Sequence, residues 1–234
     1  MSQVQLFGSP LSPFVKKVQG ALALKKLDYD LVEPSGLRDF KRWSPVTGKM
    51  PVLRCDGQAV YDSSFICAWL DERHPEPPLW SRDPAVRSAQ RLLEDWSDES
   101  FYWAIMALRW CDEHAGATAA QITAGMPALL RALAGPMLRR RLTGQARAQG
   151  MGRLPVDAVV REIAARLDDL AVQLGERPFF FSDEPSVADL AVCGQLEGGM
   201  SGPTPEVNEL VESRPALTAY LARLSPGARR AWAE

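Results

Sequence analysis

The chain opens on alternating strand and helix patterns. Val4-Gln5-Leu6-Phe7 is a short apolar run of strand type. Residues 13–26 read as a helix, with Phe14, Val18, Ala21, Leu22 and Leu24 on a broad apolar face and Lys16, Lys17, Lys25 and Lys26 on the other side. Leu27, Tyr29 and Leu31 alternate with Asp28 and Asp30, the period-2 sign of a half-buried strand. Two strands joined by a helix predict parallel pairing and a right-handed crossover. Glu33-Pro34-Ser35-Gly36 breaks the chain, and a short helix from Leu37 to Trp43 stops before Pro45. Asp56-Gly57 between two apolar runs predicts a hairpin of residues 52–55 and 58–61. A helix over 63–73 follows, with Phe65, Ile66, Trp69 and Leu70 expected to face inward.

The second part of the chain has a different pattern. The proline-rich run His74-Pro75-Glu76-Pro77-Pro78-Leu79-Trp80 reads as a linker, and strand signals stop after Pro84. Residues 85–114 predict a long helix carrying Trp96, Phe101, Trp103, Met106 and Trp110, a bulky set of the kind that usually forms core. Residues 118–150 are helical but broken at Pro127 and Pro136. Val159, Ile163, Leu167, Leu170 and Leu174 mark the stripe of a helix over 155–174. Ser186-Val187-Ala188-Asp189 opens a further helix as a capping-box variant, a structural role for both polar residues. Residues 206–213 and 215–224 give two closing helices, and Trp232 is expected to dock the tail. The pattern predicts an α/β domain over residues 1–78 and an all-α domain over residues 84–234.

Composition narrows the function classes. Hydrophobic residues make up 46% and charged residues 24% of the 234 positions, which suits a folded globular protein. A net charge of −2 argues against a nucleic-acid partner, which calls for a basic excess. No apolar run approaches the ~20 residues of a membrane span, and the first strand starts too early for a signal peptide. A cytoplasmic protein with no membrane partner is expected. Cys55, Cys67, Cys111 and Cys193 form no CxxC motif, and His74 and His114 are the only histidines, so no metal is expected.

Candidate chemistry sits at Gly8-Ser9-Pro10-Leu11-Ser12-Pro13-Phe14-Val15. Ser12 stands at a helix N-cap and Pro13 at the first helical position. Free N–H groups and the positive end of the helix dipole make such a place favourable for an anion. A bare capping role for Ser12 is the commoner use of a serine there.

Three motifs in order carry a family resemblance. They are Ser12-Pro13-Phe14-Val15 after the first strand, Gly48-Lys49-Met50-Pro51-Val52-Leu53 before the hairpin, and Asp62-Ser63 opening the next helix. With the order βαβ-α-ββα, they resemble the thioredoxin-like half of the cytosolic glutathione transferase superfamily. The SPFV run is most similar to the serine-type tau class and its bacterial relatives; in the related omega class a cysteine holds the place of Ser12. The resemblance implies a thioredoxin-like α/β domain with a four-stranded mixed sheet, followed by an all-helical domain. It implies glutathione as co-substrate, a small electrophile as its partner, a detoxifying conjugation, no metal, and a homodimer.

The implied roles fall on particular residues. Ser12 would donate a hydrogen bond to the glutathione thiolate. Pro51 would be cis, leaving the backbone of Met50 to pair with the tripeptide's cysteinyl unit. Asp62 and Ser63 would take the γ-glutamyl ammonium and carboxylate. Lys49 would pair with the glycyl carboxylate, with Arg38 and Lys41 as weaker candidates, and Phe14 completes the glutathione-binding set. Tyr102, Trp103, Met106 and Trp110 are the candidate electrophile pocket, and Arg54, Arg87 and Arg91 are candidate interface residues. Serine cannot form a mixed disulfide, which disfavours thiol transfer and dehydroascorbate reduction. Residues 148–153 and 174–181 resemble the metaxin-like and failed-axon-connections-like branch of the superfamily. That likeness keeps a non-catalytic scaffold open beside the enzyme, as does a glutathione-dependent isomerase or dehalogenase.

Overall fold

The computed structural model describes residues 4–225. Its first part holds β1 (Gln5–Phe7), α1 (Pro13–Leu24), β2 (Asp30–Val32), α2 (Leu37–Trp43), β3 (Val52–Cys55), β4 (Gln58–Tyr61) and α3 (Ser63–Arg73). The sheet order is β2-β1-β3-β4. β1 runs parallel to β2 and antiparallel to β3, and β3 and β4 form the hairpin. This is the expected four-stranded mixed sheet. The second strand is shorter than its alternation: β1 offers only Gln5–Phe7 to pair with, so the ladder starts at Asp30. Leu27 and Tyr29 still pack against the core from outside the ladder.

All later elements are helical, apart from one isolated bridge between Phe179 and Ser182. They are α4 (Pro84–Asp95), a π-helical segment (Trp96–Phe101), α5 (Tyr102–Arg109), α6 (Ala115–Ile122) and α7 (Ala128–Gln149). A 3₁₀ turn (Met151–Arg153), α8 (Val156–Leu174), α9 (Val187–Met200), α10 (Pro205–Glu212) and α11 (Pro215–Arg223) complete the described residues. The single helix expected over 85–114 is therefore interrupted by a π segment and ends at Arg109. α7 also differs from expectation, since it runs through Pro136 without a break. Pro136 takes away one intrahelical donor, but Ala132, whose carbonyl loses it, is exposed and reaches water. Trp232 lies outside the described residues.

Two large cores carry the fold. One gathers the stripe of α8, Phe101 and Leu108, Phe180, and Tyr220. The other lies between the sheet and its helices, with Leu6, Val15, Val18, Leu22, Leu53, Ile66 and Leu70. This second core also includes Val187 and Leu190 of α9, so the helical part completes the α/β part. α9 approaches α1 at backbone distance: a Cβ on Gly194 would lie 2.6 Å from the carbonyl oxygen of Pro13. Only glycine allows that approach.

Three polar or aromatic placements depart from the expected pattern. Lys17 is 0% and Lys25 5% exposed, although the sequence pattern sets both on the solvent side of α1. Each is buried because it has partners. Lys25 donates to Asp71 and to the carbonyls of His74 and Pro77, which ties the end of α1 to the linker. Phe65, expected inside, is 71% exposed on α3, where Ile66, Cys67 and Leu70 supply the buried face.

Candidate functional site

The three sequence motifs leave from one row of the sheet. Phe7 is opposite Val52, and Val52 is opposite Tyr61. The chain after Phe7 leads to Ser12, the chain before Val52 holds Met50-Pro51, and the chain after Tyr61 begins with Asp62-Ser63. Register alone therefore brings the three candidate loops to one end of the sheet. A Cβ on Gly8 would lie 3.6 Å from that of Met50, a measure of how closely the first two loops approach.

Ser12 caps α1 in extended geometry, with φ −79° and ψ 126°, and Pro13 follows at the first helical position. Its backbone is fixed: its N–H donates to Ser9 and its carbonyl accepts from Lys16, both at 3.0 Å. Its hydroxyl makes no capping hydrogen bond. The side chain is half-buried. The helix thus presents a hydroxyl and its first N–H groups without using the hydroxyl itself.

The Met50–Pro51 bond is cis, as the resemblance implied. Lys49 is exposed and enters no ion pair among the described residues. Arg38 and Lys41 are exposed on α2. Asp62 caps α3, its carboxylate accepting the Ser64 N–H at 3.0 Å. Its φ of +75° is a left-handed conformation that costs a non-glycine residue on the order of 1–3 kcal/mol. Ser63 is buried at the first turn of α3.

Phe14, Asp62 and Ser63 share a cleft of about 350 Å³ between the head of α3 and the α4–π segment. Its walls carry the carboxylates of Asp62, Glu94, Asp95, Asp98 and Glu99 against the single guanidinium of Arg91. Such a cleft favours an ammonium group. Ser12, Lys49, Met50 and Pro51 are not among its lining residues.

Behind the cleft stands a buried ion network absent from the sequence reading. The Lys17 ammonium lies 2.6 Å from both Glu94 and Asp98 and donates to the Ser64 hydroxyl at 3.0 Å. Burial presses Lys17 towards the neutral form, but Asp98 and Glu94 outweigh it and its pKa is raised. Burial also raises the Asp98 carboxyl against the pull of Lys17. With two carboxylates against it, Lys17 stays an ammonium. The network joins α1, α3, α4 and the π segment. One signal in the sequence pointed to it: Lys17 stands three residues after Phe14 and four before Ala21, within the apolar stripe.

The electrophile candidates divide. The ring of Tyr102 meets that of Phe14 at 5.0 Å and that of Trp103 at 5.2 Å, which brings α5 to the head of α1. Burial raises the Tyr102 phenol. Met106 packs on a small cluster of Trp110, Ala115, Ala119 and Ala146. Trp110, expected to line the pocket, is 2% exposed within that cluster, where it serves as core. Arg54 lies over the Phe7 ring, and Arg87 and Arg91 stand on α4 near Trp80.

Comparison with known proteins fits this geometry. The family models described as the N-terminal and C-terminal domains of glutathione S-transferase match residues 6–78 and 145–223. A probable glutathione S-transferase of Nicotiana tabacum is 32% identical over 104 residues, 42% of this chain. That alignment spans 46% of the tobacco protein, a little under half of its length. The isoprene-epoxide–glutathione S-transferase of Rhodococcus is 28% identical, and the alignment covers 94% of each chain. The structure of the β-etherase LigF from Sphingobium superposes with a TM-score of 0.73 at 24% identity, over 97% of each chain. A glutathione S-transferase of Methylobacterium radiotolerans, solved with glutathione sulfonate, gives a TM-score of 0.64 at 27% identity over 98% of this chain and 93% of its own. With both family domains in the expected order on a thioredoxin-like sheet and a helical second part, the chain belongs to the glutathione transferase superfamily, whose co-substrate is glutathione.

Proposed function

We propose that this chain is a serine-type glutathione transferase that activates the glutathione thiol through Ser12. The observation that carries the reading is the Ser12 hydroxyl, which the helix holds at its N-terminus and does not use. A thiol reacts as its thiolate. The Ser12 O–H donates to that sulfur, and the α1 N-terminus adds positive potential from behind. Lowering the thiol pKa by about two units corresponds to about 2.7 kcal/mol, within reach of one hydrogen bond to an anion together with a helix dipole. The thiol proton goes to solvent. The sulfur then forms a bond to an electrophilic carbon, whose bond to its leaving group breaks.

Glutathione lies along the end of the sheet in this reading. Met50, before cis-Pro51, pairs with the cysteinyl backbone. Ser63 and the N–H groups of α3 hold the γ-glutamyl carboxylate, and Asp62 in its acidic cleft takes the ammonium. Exposed Lys49 reaches the glycyl carboxylate. Phe14, Tyr102 and Trp103 border the place where the electrophile meets the sulfur, and Met106 stands behind them. Two of the relatives matched along most of the chain carry names that refer to an epoxide and an ether. Electrophilic carbons bonded to oxygen are therefore the first class to assay. The enzyme works as a cytoplasmic homodimer.

Ultraviolet titration of the thiolate in the glutathione complex tests the role of Ser12. The bound thiol of the wild type should ionise about two units below free glutathione, and in Ser12→Ala it should return towards the free value with glutathione still bound. An unchanged thiol pKa in the variant overturns the assignment. Retention on immobilised glutathione with no turnover of any electrophile would favour a scaffold.

A further inference from the structure

The turn between α5 and α6 gathers a set of donors that the conjugation does not use. Cys111, Glu113 and His114 each offer one ligand atom, and these atoms all lie within 4.8 Å of one another. The spacing is Cys-x-x-His, with Asp112 and Glu113 between. The thiolate is the form of cysteine that binds metals.

A second observation comes from α10. Oε1 of Glu206 lies 2.8 Å from Nε2 of His114, but its other oxygen, Oε2, is buried with no hydrogen-bond partner. This carboxylate holds the His114 ring from the side away from the turn. Local charge agrees: Asp112 and Glu113 follow Cys111 in the turn, Glu206 meets His114, and Arg147 pairs with Asp112.

We propose that Cys111, Glu113 and His114 bind a divalent transition-metal ion of the zinc type, with Glu206 as the outer partner of the histidine. Nε2 of His114 faces Glu206, which leaves Nδ1 for the ion. A carboxylate behind a ligating imidazole fixes the ring and raises its basicity. One thiolate, one imidazole and one carboxylate suit Zn²⁺ and not Mg²⁺ or Ca²⁺, which take oxygen ligands. Water fills the fourth position, and the Cys111 proton leaves to solvent on binding. The ion holds the α5–α6 turn, and through His114 and Glu206 it ties that turn to the first turn of α10.

Cobalt titration of the full, reduced, metal-stripped chain tests the site. Co²⁺ should give a thiolate-to-metal charge-transfer band in the near ultraviolet, and Zn²⁺ should displace it. Cys111→Ser should abolish the band, and Glu206→Gln should weaken binding about tenfold or more. Absence of the band in the wild type overturns the proposal, as does its persistence in Cys111→Ser. If that variant does not fold, alkylation of the wild type decides: Zn²⁺ should slow labelling of Cys111 at least tenfold, and equal rates overturn the site.

Discussion

Two of the described helices carry a serine at the N-cap, and the two serines are used differently. At α9 the Ser186 N–H and hydroxyl both donate to the Asp189 carboxylate at 2.8 Å, and Asp189 also takes the Phe180 N–H. At α1 the residue in the place of Asp189 is Val15, and the Ser12 hydroxyl makes no capping bond. One missing carboxylate separates a structural serine from an available one. The two helices also pack against each other, with Pro13 on Gly194. The committed cap thus belongs to the element that holds the uncommitted one in place.

The largest test of that support is Lys17. Lys17→Met would leave Glu94 and Asp98 buried without their cation. It should cost about 3–5 kcal/mol in urea unfolding, and a loss below about 1 kcal/mol would show that the network does not anchor α1. Next is Ser12→Ala. Turnover with an epoxide should fall about 100-fold, the equivalent of about 2.7 kcal/mol, while the urea midpoint should barely move because no cap bond is lost. A loss of stability with unchanged turnover would reduce Ser12 to a cap. Gly194→Ala sets a Cβ against the Pro13 carbonyl and should cost about 1–3 kcal/mol, with turnover falling as the head of α1 shifts. Ser186→Ala should reverse the pattern of Ser12→Ala: a loss of about 1 kcal/mol with unchanged kinetics per folded molecule. The smallest expected effect is none at all. Burial pushes the Cys67 thiol up to about 12, so it should resist iodoacetamide near about pH 8 in the folded protein. Rapid labelling there would mean that α3 opens from α1.

The elements that position the candidate site were largely legible in the sequence. Asp56-Gly57 gave the hairpin, Pro13 the start of α1, and Ser186 with Asp189 the start of α9, because each is a local signal with a local cause. What stayed hidden depends on partners far away in the chain. Lys17 reads as a surface lysine until Glu94 and Asp98, some eighty residues on, are brought beside it. Gly194 looks like a weak point in a helix until Pro13 is packed on it. Trp110 and Phe65 were misplaced because aromatic residues at helical spacing do not reveal which face meets a neighbour. The π segment has no comparable local signature, and it splits what the periodicity presented as one helix.

The packing of α9 into the core beneath the sheet has a practical consequence for anyone wishing to divide the molecule. Family models treat the two parts as separate modules, but the thioredoxin-like part does not own all of its interior. A fragment cut near the proline-rich crossing would bare the apolar surface that Val187 and Leu190 now shield. It would also strand the Lys17 ammonium without either counter-charge. The thioredoxin-like half is therefore one unit of sequence and an incomplete unit of folding, and grafting it elsewhere would mean carrying α9 along.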